Sequence, residues 1–342
     1  MRFLPDPEQA EFARTLDRML AAADTPSAAR AWAAGEHAAG RALWGRLAQA
    51  GVFALGVPEA YEGLGPLPVE LALAFVELGR HAVPGPFVET VAAAALLGRL
   101  GGAVAKDWLP RIAAGQAVVT LTMPEGGPYA LDADAADAVF VADGARLALA
   151  TGHGPVRASL DPARRLFRPW TAPGGEPLGQ ADAAYAADRA AFLTAAQSLG
   201  VGLALLWRTV EYAKQRRQFG AAIGSFQAVK HRLADTFTAL EFARPLLLGA
   251  AVTQAPADIA AAKLACGEAA YAAARTALQV HGAIGYTAEY DLSLWITKAR
   301  ALRTAWGSPS ACRAAVLRSR SEGARTPVPG PRTPGAWRSS RG

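Results

Sequence analysis

Residues 186–321 carry apolar side chains at helical spacing with few interruptions, and this stretch constrains the fold more than any other feature. Phe226, Val229, Leu233, Phe237 and Leu240 fall three or four apart, which predicts one buried stripe. Helices from Ala187 to Lys214 and from Ile259 to Gln279 complete most of a four-helix bundle over 185–322. Residues 1–115 read as helices with breaks. Phe12, Leu16 and Met19-Leu20 share one face, as do Leu43, Trp44, Leu47 and Ala50, and Gly51 ends that helix. Pro68 opens a helix over Val69–Leu78, and Pro84-Gly85-Pro86 precedes another from Val88 to Leu100.

Between these helical regions the pattern changes. Ala117–Thr122 and Ala138–Ala142 read as buried strands, and the Asp143-Gly144 turn leads into a third over Ala145–Ala150. Residues 152–184 are rich in Pro, Gly, Ala and Asp and read as short strands and loop. The expected architecture is therefore mostly α with a small β-domain over 116–184. A Pro-, Gly-, Arg- and Ser-rich tail over 323–342 is expected to be disordered.

Hydrophobic content of 52% and charged content of 19% fit a globular chain. The net charge of +6 falls to roughly +2 without Arg325, Arg332, Arg338 and Arg341, so no nucleic-acid surface is expected. No apolar run reaches the ~18–20 residues that span a bilayer, and Asp6, Glu8 and Glu11 oppose a signal peptide. A soluble cytoplasmic protein without membrane contact is expected. Cys266 and Cys312 form no motif, and the five histidines share no ligand spacing on one helix face, which predicts no metal.

Two segments carry chemistry. The first is Arg216-Arg217-Gln218-Phe219-Gly220: an arginine fork suited to a pyrophosphate, a flat apolar ring and a glycine for the turn. Read alone, the segment is better explained as a basic helix C-terminus, where cations favour the macrodipole. The second, about sixty residues on, is Gln279-Val280-His281-Gly282-Ala283-Ile284-Gly285-Tyr286, where Gly282 permits close backbone approach to a ligand or simply caps a helix.

Together with Val57-Pro58-Glu59-Ala60-Tyr61-Glu62-Gly63-Leu64-Gly65, these segments resemble the acyl-CoA dehydrogenases. The resemblance implies a helical N-terminal domain, a β-barrel that is reduced here, and a C-terminal four-helix bundle. It implies FAD, an acyl-CoA substrate and transfer of electrons to an electron-transfer flavoprotein. It assigns Arg216, Gln218, Phe219, Gln279, Gly282 and Ala283 to the pyrophosphate and adenine half of an FAD held mainly by a neighbouring subunit. Glu62 and Ala283 stand where the family has glycines.

The resemblance also exposes what is missing. The slot of the family's catalytic glutamate holds Trp306, and indole takes no proton at neutral pH. Thr122-Met123-Pro124-Glu125-Gly126-Gly127-Pro128-Tyr129 lacks the Glu, Ser and Asp that cradle flavin in the family, and only Trp170 stands for the segment flanking the ring. An alternative base position matches Asp188-Arg189, although an Asp there is also an ordinary helix-start residue. Glu241 is expected to be solvated or paired with Arg244, and Glu289 to be structural. These readings point first to a base-lacking subunit of an α2β2 acyl-CoA dehydrogenase that completes the FAD site of a related chain. A self-sufficient homo-oligomer using Asp188 or another base, and an inactive scaffold, are the alternatives. The short β-region is expected to admit bulky acyl groups such as steroid side chains.

Overall fold

A computed structural model describes residues 4–172 and 177–325. Among the described residues, α1 (Pro7–Ala21), α2 (Thr25–Ala33), α3 (Ala38–Gln49), α4 (Pro68–Arg80), α5 (Phe87–Leu100) and α6 (Gly102–Ala113) form the N-terminal region. Asp6 caps α1 in a capping box with Gln9, satisfying two otherwise orphaned backbone donors. The Pro58–Gly65 turn survives the loss of a glycine because Glu62 itself adopts a left-handed φ of 64°. Gly63 has no such latitude: a Cβ there would lie 1.8 Å from the Val57 carbonyl oxygen.

Next come β1 (Val119–Thr122), β2 (Ala130–Leu131), β3 (Ala138–Asp143), β4 (Arg146–Leu149), β5 (Gly152–His153), β6 (Leu166–Phe167), β7 (Pro169–Trp170) and β8 (Gly179–Gln180). The sequence locates β1, β3 and β4 to within a residue or two, including the turn at Asp143-Gly144. β1 and β3 pair parallel, and β4 and β8 extend the sheet antiparallel in the order β1-β3-β4-β8. The pairs β2–β6 and β5–β7 are separate ribbons, so the described strands form no single closed barrel ladder.

α7 (Ala183–Gln215), α8 (Gln227–Thr253), α9 (Pro256–His281), α10 (Leu292–Thr304) and α11 (Pro309–Arg325) make the C-terminal region. A short hairpin, β9 (Arg217–Gln218) and β10 (Ala221–Ala222), joins α7 to α8. One continuous core runs from α1 through α4, α5 and β1 into α7, α8 and α9. α7 is by length and composition able to cross a bilayer, which apolar run length alone did not reveal; 89% of its apolar window is buried within the fold, as in a core helix. The expected disordered tail lies outside the described residues, save that α11 continues through Arg325.

The predicted stripe on α8 needs correction. Only Leu240 of the five is buried, while Phe226 is 38% and Phe237 43% exposed. The helix packs instead through Thr236, Leu240, Ala243, Leu247 and Leu248. Periodicity identifies an apolar face but not what covers it.

Candidate active site

The two segments singled out in the sequence sit at one end of the bundle. Arg216 ends α7, and Phe219 and Gly220 form the two-residue turn between β9 and β10 with φ of 51° and 79°. Positive φ at both turn positions is what a tight antiparallel hairpin requires. Arg217 closes it by donating to the Gly220 carbonyl at 3.2 Å. The Phe219 ring at the tip is 92% exposed, and Arg216 and Gln218 are exposed beside it.

α9 ends at His281, and Gly282 follows with φ of 65° and open space where a Cβ would stand. His281 joins the two helix ends. Its ring stacks on Tyr212 of α7 at 4.0 Å and tilts over Tyr290 at 5.6 Å, while Nδ1 donates to the Ala277 carbonyl. Burial lowers its pKa, which favours the neutral ring. Gln279, Gly282, Ala283 and Tyr286 line a cavity of about 680 Å³ with Arg232 and Arg275. Open glycine backbone, an arginine pair and an exposed Gln279 suit a phosphate-bearing ligand. Ala283 faces this cavity with its methyl exposed.

Trp306 lies in the turn between α10 and α11, in a second cavity of about 490 Å³ lined also by Glu89, Gly126, Tyr129, Arg164 and Tyr271. Its φ of 53° is a left-handed conformation that costs a non-glycine residue roughly 1–2 kcal/mol. Two contacts fix the indole. It packs on Gly126, where a Cβ would approach the ring to 2.5 Å, and Nε1 donates to Glu89 Oε1 at 3.0 Å. Lys263, buried on α9, holds the same turn by donating to the carbonyls of Leu302, Arg303 and Gly307 at 3.0–3.2 Å. The loop carrying Arg164 is anchored by a buried Asp161–Lys298 pair at 2.9 Å.

Glu89 was not among the sequence-derived candidates. It is 3% exposed, on the third residue of α5, and Arg164 Nη2 lies 3.7 Å from its Oε1. Its signal was present: it is the only acid in the mostly apolar helix Phe87–Leu100. Asp188 behaves differently. Burial raises its pKa and Arg189 opposes the rise, but it is not among the residues lining the Trp306 cavity. Trp170 is 53% exposed, against Gly152, and does not line that cavity either. Glu241 pairs with Arg244 at 2.9 Å as expected. Near Glu289, Arg30 donates to its backbone carbonyl and pairs with Asp291 at 2.7 Å.

The structure also gathers Asp17, Glu77 and His81, whose donor atoms all lie within 4.8 Å of one another, a grouping that sequence spacing did not show. His81 Nε2 contacts Asp17 at 2.8 Å, and the Arg80 guanidinium stands 3.2 Å from Glu77. Cys266 and Cys312 are buried free thiols whose pKa burial raises, so neither is poised as a nucleophile.

Residues 6–116 match the acyl-CoA dehydrogenase N-terminal domain and residues 179–319 the acyl-CoA dehydrogenase C-terminal domain. The chain is 38% identical over 301 residues to acyl-CoA dehydrogenase IpdE2 of Mycobacterium tuberculosis, covering 86% of this chain and 91% of that one. The chain belongs to the acyl-CoA dehydrogenase family. Acyl-CoA dehydrogenase IpdE2 of Mycolicibacterium smegmatis is 34% identical over 289 residues, covering 83% and 90%. In fold the chain resembles a chain of the ChsE4-ChsE5 complex from Mycobacterium tuberculosis, with a TM-score of 0.79, 25% identity and coverage of 96% and 100%. Butyryl-CoA dehydrogenase from Megasphaera elsdenii shares the fold at a TM-score of 0.79 and 20% identity, over 94% and 100%. The family's activity is FAD-dependent dehydrogenation of acyl-CoA thioesters, and this chain carries that assignment.

Proposed function

We propose that this chain is one of two related subunits of an FAD-dependent acyl-CoA dehydrogenase, and that it completes the FAD site of its partner. One observation carries the reading: the Phe219 ring stands 92% exposed at the tip of the β9–β10 hairpin beside exposed Arg216 and Gln218, with Phe226 edge-on to it at 6.2 Å. A side chain of that size exposed on an ordered turn suits contact with something outside the chain. Arg216 would hold the pyrophosphate, and Phe219 and Gln218 the adenine half. Gln279, Gly282 and Ala283 would close over the same half from the neighbouring helix end. The assembly of ChsE4 with ChsE5 supports pairing between related chains.

FAD, held by Arg216, Gln218, Phe219, Gln279, Gly282 and Ala283 together with the partner, would supply the hydride acceptor, and a carboxylate of the partner would take the α-proton. This chain's own slot for that carboxylate holds Trp306, and its loop over 122–129 lacks the family's flavin-binding side chains. Electrons then leave to an electron-transfer flavoprotein. The short β-region supports a bulky acyl group such as a steroid side chain; turnover confined to short linear acyl-CoAs by the reconstituted complex would sink that part.

The test is the visible absorption spectrum of the lone chain and of the chain co-expressed with a related subunit. A colourless lone chain and a yellow complex, near one FAD per pair of chains, are expected. Flavin bands in the lone chain, bleached by an acyl-CoA, would show a self-sufficient enzyme. A colourless complex would leave the scaffold reading.

A further inference from the structure

The cavity of about 490 Å³ beside Trp306 has no part in the shared FAD site, which uses the β9–β10 hairpin and the end of α9. Cavities of roughly 300–1,000 Å³ hold whole small organic molecules. Arg164, Arg300 and Arg303 line this one, against the single carboxylate of Glu89. Two of these charges are already spent. Arg303 donates through Nε to Glu268 at 2.8 Å and lies over the Tyr271 ring at 4.6 Å. Glu89 Oε1 accepts from Trp306 Nε1 at 3.0 Å, and its side chain is 3% exposed, so it offers the cavity almost no surface.

Arg164 is different. Its side chain is 14% exposed, and among the described residues it makes no side-chain hydrogen bond; at 3.7 Å from Glu89 it balances the charge without an aligned donor. Its backbone is clamped on both sides. Asp161, itself held by Lys298 at 2.9 Å, accepts from the Ala163 N–H at 3.0 Å, and Asp132 accepts from the Arg165 N–H at 3.1 Å. Arg165 further donates to the Ala33 carbonyl at 3.0 Å and pairs with Asp134 at 2.6 Å. A mostly buried guanidinium with unspent donors, on so fixed a backbone, is set up for a ligand. Arg300, exposed on α10, likewise has no hydrogen bond or ion pair among the described residues. With Glu89 set against Arg164 and Glu268 against Arg303, Arg300 leaves the lining one positive charge in excess. Leu121, Leu131, Leu160 and Leu166 supply apolar wall in the same cavity.

We propose that this cavity binds an apolar monocarboxylate, a free carboxylic acid rather than a thioester, with its carboxylate in the Arg164 fork, Arg300 in the same wall and its body on the leucines. A guanidinium meets a carboxylate through two parallel N–H···O bonds, and one carboxylate answers the one excess positive charge. A thioester carbonyl is neutral and would leave the fork unanswered. The four leucines suit an alicyclic or branched body. Binding here makes and breaks no bond: Trp306 fills the slot of the family's base, and the loop over 122–129 lacks the family's flavin-binding side chains. The acid is therefore a regulatory ligand of the complex, not its substrate. The site stands whether or not FAD is shared between subunits.

The experiment is titration calorimetry of the full chain with 1-adamantanecarboxylate, a compact alicyclic acid, and with 1-adamantanecarboxamide, its neutral counterpart. Saturable binding of one acid per chain is expected, with the amide weaker by about tenfold or more. Arg164→Gln is expected to weaken the acid by about tenfold or more. That change also unbalances Glu89, so the exposed Arg300→Ala is the deciding variant: about threefold weaker binding or more, at unchanged melting temperature. Four results overturn the inference: no saturable binding, equal binding of the amide, binding left unchanged by Arg300→Ala, or an equal loss from Arg275→Ala, which belongs to the other cavity. Calorimetry on the lone chain needs no flavin, so a colourless complex would defeat the shared-FAD reading without touching this result.

Discussion

Glu77 shows how burial sets the behaviour of a single residue. It is 6% exposed on α4, and burial raises its carboxyl pKa to about 7 despite Arg80 beside it. The attraction is weak because neither Glu77 Oε2 nor Arg80 Nε makes an aligned hydrogen bond. Asp132, buried under the Arg165 backbone, is likewise raised to about 7. The folded state therefore holds protons that the unfolded chain has released. Stability from these groups is fully present below the ordinary carboxylate range and is lost as pH rises through about 7. Glu77→Gln is expected to flatten that fall by on the order of 1–3 kcal/mol, measured by denaturant unfolding at pH 5 and pH 8. An unchanged difference between the two pH values would show that Glu77 is solvated. At the same scale, Phe219→Ala should weaken FAD binding by the complex about tenfold or more, at unchanged melting temperature, since the ring packs on little of its own chain. Flavin retention after gel filtration reads this directly.

At the scale of elements, α4 and α7 approach one another through small residues. A Cβ on Gly200 would lie 1.8 Å from the Val76 carbonyl oxygen, and one on Gly79 would lie 2.0 Å from the Gln197 carbonyl oxygen. Backbone faces backbone here, so no flexible side chain can yield. Gly200→Ala is expected to cost about 3 kcal/mol or more, although alanine is the better helix former; thermal unfolding within a degree of wild type would contradict this. Lys263 couples α9 to the turn after α10 in a different way. Burial lowers its pKa to about 8, while three carbonyl acceptors hold the amine in place. Lys263→Met would leave those carbonyls unpaired and loosen the Trp306 turn. A loss of about 2–4 kcal/mol is expected, together with a red shift of tryptophan fluorescence.

At the scale of the molecule, the surface is not uniformly polar. Trp207 on α7, and Phe237 and Phe242 on α8, are 43–73% exposed, and the Trp207 and Phe237 rings meet edge-on with centroids 6.3 Å apart. We propose that the Trp207–Phe237 edge is part of the surface that packs against the partner. Phe237→Asp is therefore expected to leave the lone chain folded, with circular dichroism unchanged, while sedimentation of the co-expressed proteins shows separate chains. Retained assembly would place the interface elsewhere.

The sequence by itself determined the helical regions, the three main strands and the two segments proposed to hold FAD, which the fold brings to one end of the bundle. Those features are local: periodicity, turn residues and caps act over a few neighbours. It also located Trp306, because a motif slot is a matter of spacing. What it could not supply was contact between distant residues. Glu89 and Trp306 are 217 residues apart, and only the packing of α5 against β1 and the α10–α11 turn brings a carboxylate to the indole. Burial of the α8 stripe was likewise decided by tertiary structure, since an amphipathic pattern specifies an apolar face and leaves its cover to whichever element, or neighbouring chain, packs there.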